Sequence, residues 1–139
     1  MAVSFQKFNS FVAAVANGVH NLSTATLKVA LTAAANAPVA TNTQLSNLTE
    51  ISYTNLSTRT LTTTSSTQTG GLYSLILQDL VLTASGGSVA AFQYVVIYND
   101  SATNKELIGF YSYGSALTLA NGETLTIDLD QVNGVINLQ

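Results

Sequence analysis

The sequence predicts a mainly β protein: an antiparallel β-sandwich or jelly-roll-like barrel with one N-terminal amphipathic helix. Three observations carry this expectation. Seven to nine short runs of alternating or β-branched apolar residues recur along the chain. Turn signals separate them: Ser85-Gly86-Gly87-Ser88, Asn99-Asp100-Ser101, Asn121-Gly122 and Asn133-Gly134. Only the N-terminal segment carries a helical repeat. At 139 residues the chain has the length of a single domain over 1–139, long enough to bury a core.

In chain order, Ser4 is a helix cap, and Phe5, Phe8, Val12, Val15 and Val19 follow at spacings of three and four. This predicts a helix over 4–19 that stops at Asn17-Gly18. Its apolar stripe either covers the sheet or serves as a partner-binding arm. Thr26–Thr32 alternates, with Leu27, Val29 and Leu31 pointing in and Lys28 and Thr32 out. Over 33–49 the pattern fails. Alanines, asparagines, threonines and the only proline, Pro38, predict a long irregular loop along the surface or onto a neighbour. Ile51–Tyr53 and Thr58–Thr64 read as short strands, and Ser65–Gly71 as an uncharged polar loop.

The densest apolar stretch runs from Leu72 to Tyr113. Leu72–Thr83 is one long strand, with a bulge or bend at Gln78-Asp79. Ala91–Asn99 is apolar on both faces, so it reads as an interior strand covered on each side. Lys105–Tyr113 returns beside it as a hairpin. Leu117 and Leu119 begin a further strand. Leu125, Ile127 and Leu129 form a half-exposed one, and Val135–Leu138 ends the chain as a strand.

Composition limits the function. Charged residues make up 8% of the chain against about a quarter in typical globular proteins, so its polarity rests on hydroxyls and amides. Such a surface suits a member of a large assembly, and equally a β protein rich in threonine for strand propensity. The net charge is −3, and Lys7, Lys28, Arg59 and Lys105 are the only cations, which argues against nucleic-acid binding. Without cysteine there is neither a disulfide nor a thiolate metal site. No signal-peptide pattern opens the chain, and no apolar run approaches the roughly 18 residues of a membrane helix. A soluble protein made in the cytoplasm, with no membrane partner, is expected.

Two blocks of sequence stand out together. The first is FQKFNSFV from Phe5 to Val12, with GVHNL from Gly18 to Leu22 and TLKVALT from Thr26 to Thr32. The second is FQYVVIYND from Phe92 to Asp100, with LIGFYSYG from Leu107 to Gly114 and NGET from Asn121 to Thr124. Together they resemble small virion proteins of tailed bacteriophages, most of all capsid decoration (cement) proteins. The resemblance implies a partner in the major capsid protein, a place on the capsid surface and a homo-oligomer, with a trimer as the expected form. It brings no catalytic or ligand residues. A head-tail connector or tail component is a further implied place.

Candidate chemistry is sparse. His20, the only histidine, lacks a nucleophile elbow and follows the predicted helix, where it can bond terminal carbonyls. Asp128 and Asp130 share one strand face, and with Asn133 nearby offer oxygens to calcium, though with fewer ligands than calcium loops usually supply. Paired carboxylates of this kind also occur in glycoside hydrolysis, but nothing else marks a cleft. Gly70-Gly71 and Gly86-Gly87 precede no helix and read as turns. No catalytic, cofactor or metal residue is assigned, and the expected protein is not an enzyme. Tyr94 and Tyr98 share one face, as do Tyr111 and Tyr113. If the two faces pair and stay exposed, they form a platform for sugar or protein; otherwise they are core packing. The expected partner contacts are therefore Phe5, Phe8, Pro38, Tyr94, Tyr98, Tyr111 and Tyr113. The rival to the capsid reading is a host-surface or carbohydrate-binding module built on the tyrosines.

Overall fold

The computed structural model describes residues 4–139. Its elements are β1 (Phe5–Lys7), α1 (Phe11–Ala16), β2 (Leu27–Thr32), β3 (Thr63–Thr69), β4 (Leu72–Leu77), β5 (Leu80–Thr83), β6 (Phe92–Asn99), β7 (Leu107–Leu117), β8 (Thr124–Ile127) and β9 (Ile136–Leu138). The protein is mainly β with antiparallel sheets. A four-stranded sheet has the order β1-β7-β6-β2, a three-stranded sheet the order β3-β4-β9, and β5 pairs with β8 alone.

The two-faced strands sit where the sequence requires. β6 and β7, the most apolar pair, occupy the middle of the large sheet. One face of that sheet presents Leu27, Val29, Leu31, Val95, Ile97 and Ile108 to the main core. The same core contains Leu75 and Leu77 of β4, Leu80 and Leu82 of β5, and Ile127 and Ile136, together with Phe11 of α1. The opposite face carries a second, smaller core of Phe8, Ala30, Val96, Tyr98, Leu107 and Phe110.

The long segment 33–49 covers this second core. Leu45 and Leu48 pack on it from a 3-10 turn at Leu45–Asn47. Backbone bonds hold the segment to the sheet: Leu45 N–H donates to Lys105 (3.0 Å), Leu107 N–H to Thr43 (3.0 Å) and Asn9 N–H to Ala40 (2.9 Å). Asn47 ties the turn together, its Oδ1 accepting from the backbone N–H groups of Thr43 (2.9 Å) and Gln44 (3.1 Å) and from the Thr43 hydroxyl (3.1 Å). A side chain that satisfies backbone donors in this way gives an irregular segment a fixed shape.

Several expectations are corrected. The helix over 4–19 shrinks to Phe11–Ala16, and Phe5–Lys7 is a strand paired with Gly109–Tyr111. Phe5 and Phe8 then leave any common helical stripe: Phe5 packs against the main core and Phe8 lies at 0% exposure in the second. The exchange is physical, since pairing with β7 lets Phe5 reach the main core and Phe8 the second, two burials that one helical stripe cannot supply. The polar loop over Ser65–Gly71 is instead β3 and the tip of its hairpin with β4, turned at Gly70 and Gly71, both at positive φ. Thr58–Thr64 is divided. Around Thr60 the chain bonds to β2, through Val29 N–H to Arg59 and Leu61 N–H to Leu27, and from Thr63 onward it belongs to β3. Ile51–Tyr53 is no strand, though Ile51 N–H donates to Leu31. Leu117 closes β7 rather than opening a new strand. The bend at Gln78-Asp79 is present and separates β4 from β5, with Asp79 Oδ1 accepting Leu129 N–H at 2.8 Å.

Candidate functional site

The register of β6 against β7 decides where the tyrosines go. Val95 opposes Tyr111 and Tyr94 opposes Ser112. Directly opposed residues share a sheet face, so Tyr111 lies on the face of Val95 and Tyr94 on the other. Tyr94 and Tyr98 pack with the second core, and Tyr111 and Tyr113 with the main one. The four tyrosines therefore form two pairs on opposite faces and no single platform. Burial narrows the expected contacts further. Phe8, Pro38, Tyr98 and Tyr111 are buried within the chain and offer no contact surface beyond what a hydroxyl exposes, while Phe5, Tyr94 and Tyr113 are half-buried.

Around Phe5 and Tyr111 the chain forms a cleft of about 550 Å³, closed by the turn after β8 and lined by Asp128, Leu129, Asp130 and Val132. The Phe5 and Tyr111 rings meet at a centroid distance of 5.2 Å with planes tilted by 52°. The Tyr111 residue is only 5% exposed. Its hydroxyl makes no hydrogen bond to another described residue, and the residue lines the cleft. Burial pushes its ionisation well above the ordinary tyrosine value, and the charges of Tyr113, Asp128 and Asp130 push the same way. Burial and then Asp128 do the same to Tyr113. The neutral hydroxyls thus keep their protons beside two carboxylates.

Asp130 is fixed in place. Its Oδ1 accepts the backbone N–H of Asn133 (2.8 Å) and of Val132 (3.0 Å), and its Oδ2 accepts the Asn133 amide at 3.1 Å. These bonds, those from Asn133 first, hold the carboxyl below the ordinary carboxylate value. Gly134 follows at φ +90°, and a Cβ there would stand 2.9 Å from the Leu75 carbonyl oxygen, so the turn depends on glycine. Asp130 thereby serves as a turn anchor rather than a free metal ligand. Among the described residues no group of three or more His, Asp or Glu side chains is placed to hold a metal ion.

His20 lies elsewhere, 5% exposed. Its ring sits 5.5 Å from that of Phe11, and its Nδ1 is 3.1 Å from the Asn99 amide nitrogen. An amide N–H donates, so Nδ1 is the acceptor and the proton resides on Nε2. The expected bond to helix-end carbonyls is replaced by this one to Asn99. Burial lowers the imidazole's ionisation below its ordinary 6.5, against a smaller opposing effect of Glu106. The sequence carried no signal for the neighbourhood of Tyr111 with Asp128 and Asp130, because strand register creates it.

What fold and cleft define is a class: a mainly antiparallel β protein with an acidic, aromatic cleft at one end of its large sheet. No protein-family model, no curated protein and no solved structure matches the chain.

Proposed function

We propose that the chain is a non-enzymatic structural protein of a tailed-phage virion, a decoration protein that binds the major capsid protein on the outer face of the shell. The observation that carries this reading is the outer edge of β3. β3 ends the three-stranded sheet, and its seven residues, TTSSTQT, contain neither charge nor proline. Soluble proteins usually guard such an edge with lysines, proline or a covering segment, because its free N–H and C=O groups recruit other chains. An unguarded edge fits a protein that works covered by neighbours. The sparse charge of the whole chain supports the same reading, since charge is depleted in interface cores. Of the segments that resemble decoration proteins, the strand-forming parts Phe5–Lys7, Leu27–Thr32, Phe92–Asn99 and the run from Leu107 lie in one sheet, as β1, β2, β6 and β7.

The mechanism is mass action. A protein that binds only the assembled shell stabilises it by about 2.7 kcal/mol per site at a free concentration one hundred times Kd. The reading expects a homotrimer on the shell, and at the level of fold a β-sandwich, the four-stranded sheet facing the smaller sheets across the main core. Purified protein added to expanded capsids lacking it should saturate a fixed number of sites and raise their disruption temperature. Failure to bind such capsids, together with binding to host glycans, sinks the proposal in favour of a host-surface module.

A further inference from the structure

We infer that the cleft beside Tyr111 is a receptor for a guanidinium group, an arginine side chain of the protein on which this chain docks. The inference rests on the assembly reading for the source of the arginine, while the chemistry of the cleft stands apart from it.

Asp128 supplies a carboxylate, Asp130 a second that already accepts from Val132 and Asn133, and Tyr111 a hydroxyl with no partner among the described residues on an otherwise buried ring. Three of the chain's four cations are engaged elsewhere: Lys28 and Lys105 on Asp100 at 3.1 and 2.7 Å, and Arg59 near Glu50 at 3.9 Å. Among the described residues neither Asp128 nor Asp130 has a cation within salt-bridge distance. An acceptor-rich, negative cleft calls for a ligand that is all donors and positive. Guanidinium has five N–H donors and no acceptor. A neutral sugar brings no counter-charge to the two exposed carboxylates, and an anion is repelled.

Phe5 is half-buried and lines the cleft, and an aromatic neighbour suits a planar cation, which an ammonium is not.

This chain already builds such a site for itself. The Arg59 guanidinium lies 3.7 Å from the centroid of the Tyr53 ring. It donates to the Val29 carbonyl at 2.6 Å, and the Glu50 carboxylate beside it accepts the Tyr53 hydroxyl at 2.5 Å. Aromatic face, tyrosine hydroxyl and carboxylate recur in the cleft, with the guanidinium to be supplied from outside.

The test uses the whole, isotopically labelled protein, titrated with N-acetyl-arginine amide and followed by NMR. The expected result is a saturable shift at the amides of Phe5, Tyr111 and Asp128, weakened by added salt. Asp128→Asn should weaken binding about tenfold or more, as expected for loss of a charged hydrogen-bond partner, and Tyr111→Phe severalfold. Asp128 is exposed, so its variant keeps the fold, which circular dichroism verifies. The lysine analogue should bind distinctly less well. The inference is overturned if no saturable shift occurs, if a methyl glucoside saturates the site and the arginine probe does not, or if lysine and arginine bind equally. Capsid binding is scored separately. A wild-type protein that takes the probe but ignores capsids retains the receptor and loses the proposed source. If Asp128→Asn leaves capsid affinity unchanged, the cleft has no part in docking.

Discussion

Gly109 offers the sharpest test of how β1 is held. It is the third residue of β7, opposite Lys7 on one side and Ile97 on the other. Its φ is not positive, so conformation alone permits alanine; space does not. A Cβ there would overlap the Phe5 ring at Cζ, lie 2.5 Å from Cε2, and stand 2.8 Å from the Gln6 carbonyl oxygen. The ring can swing aside, but the carbonyl belongs to the backbone of β1 and moves only if the strand moves. Overpacking of this kind costs about 1–3 kcal/mol, offset by roughly 0.5–1 kcal/mol from replacing a flexible glycine within a strand. Gly109→Ala should therefore lose about 1–2 kcal/mol, roughly 3–10 °C in Tm for a chain of this length. Hydrogen exchange should localise the damage at the Phe8 amide, which donates to Ile108 at 3.1 Å. Phe5→Ala in the same background should recover part of the loss, because the two changes share a contact. A Tm within a degree of wild type, or protection lost evenly over the whole sheet, would refute the argument that Gly109 exists to admit β1.

Other consequences can be measured alongside. His20 is buried with its ionisation lowered, so the unfolded chain takes up the proton more readily. Stability should be full above about pH 6.5 and decline as the pH falls below it, and His20→Gln should remove that slope. Equal urea midpoints for the wild type at roughly pH 7.5 and 5.5 would contradict this. Asn47→Ala removes the acceptor of three hydrogen bonds and should cost about 1–2 kcal/mol, with exchange accelerated chiefly over 33–49. Uniform acceleration over the sheet would instead mean that the segment is not an independent cover.

The legible parts of the fold are those where one physical signal dominates. β2, β6, β7 and β8 follow from alternation and from runs apolar on both faces, and the Gln78-Asp79 bend from a polar interruption. The N-terminus is misleading because Phe5, Phe8, Val12, Val15 and Val19 sit at the spacings of a helix, and pairing with β7 outweighs a weak local preference. β3 was hidden because an edge strand rich in Ser, Thr and Gln has no apolar period, although its threonines carry strand propensity. The tyrosines exposed the hardest gap. Register shifts between Phe92 and Tyr94, and between Ile97 and Tyr98, determine which residues oppose each other across β6 and β7. A shift of one residue reverses every face, and neither the composition nor the turn at 99–104 fixes it. The cleft inherits that gap, since Phe5, Tyr111 and Asp128 meet only when three separate registers are known.

The hairpin of β3 and β4 has a practical consequence. At its tip Gly70 and Gly71 adopt positive φ, and a Cβ added at either would meet no atom within 4 Å. A segment grafted between them starts from open space, and lengthening a loop raises its closure cost only slowly, by about 0.6 kcal/mol per doubling. The tip is thus a natural insertion point for a foreign peptide. Its position beside the unguarded β3 edge makes a bulky graft a probe of assembly: folding would survive, and crowding would be felt only where a neighbour approaches that edge.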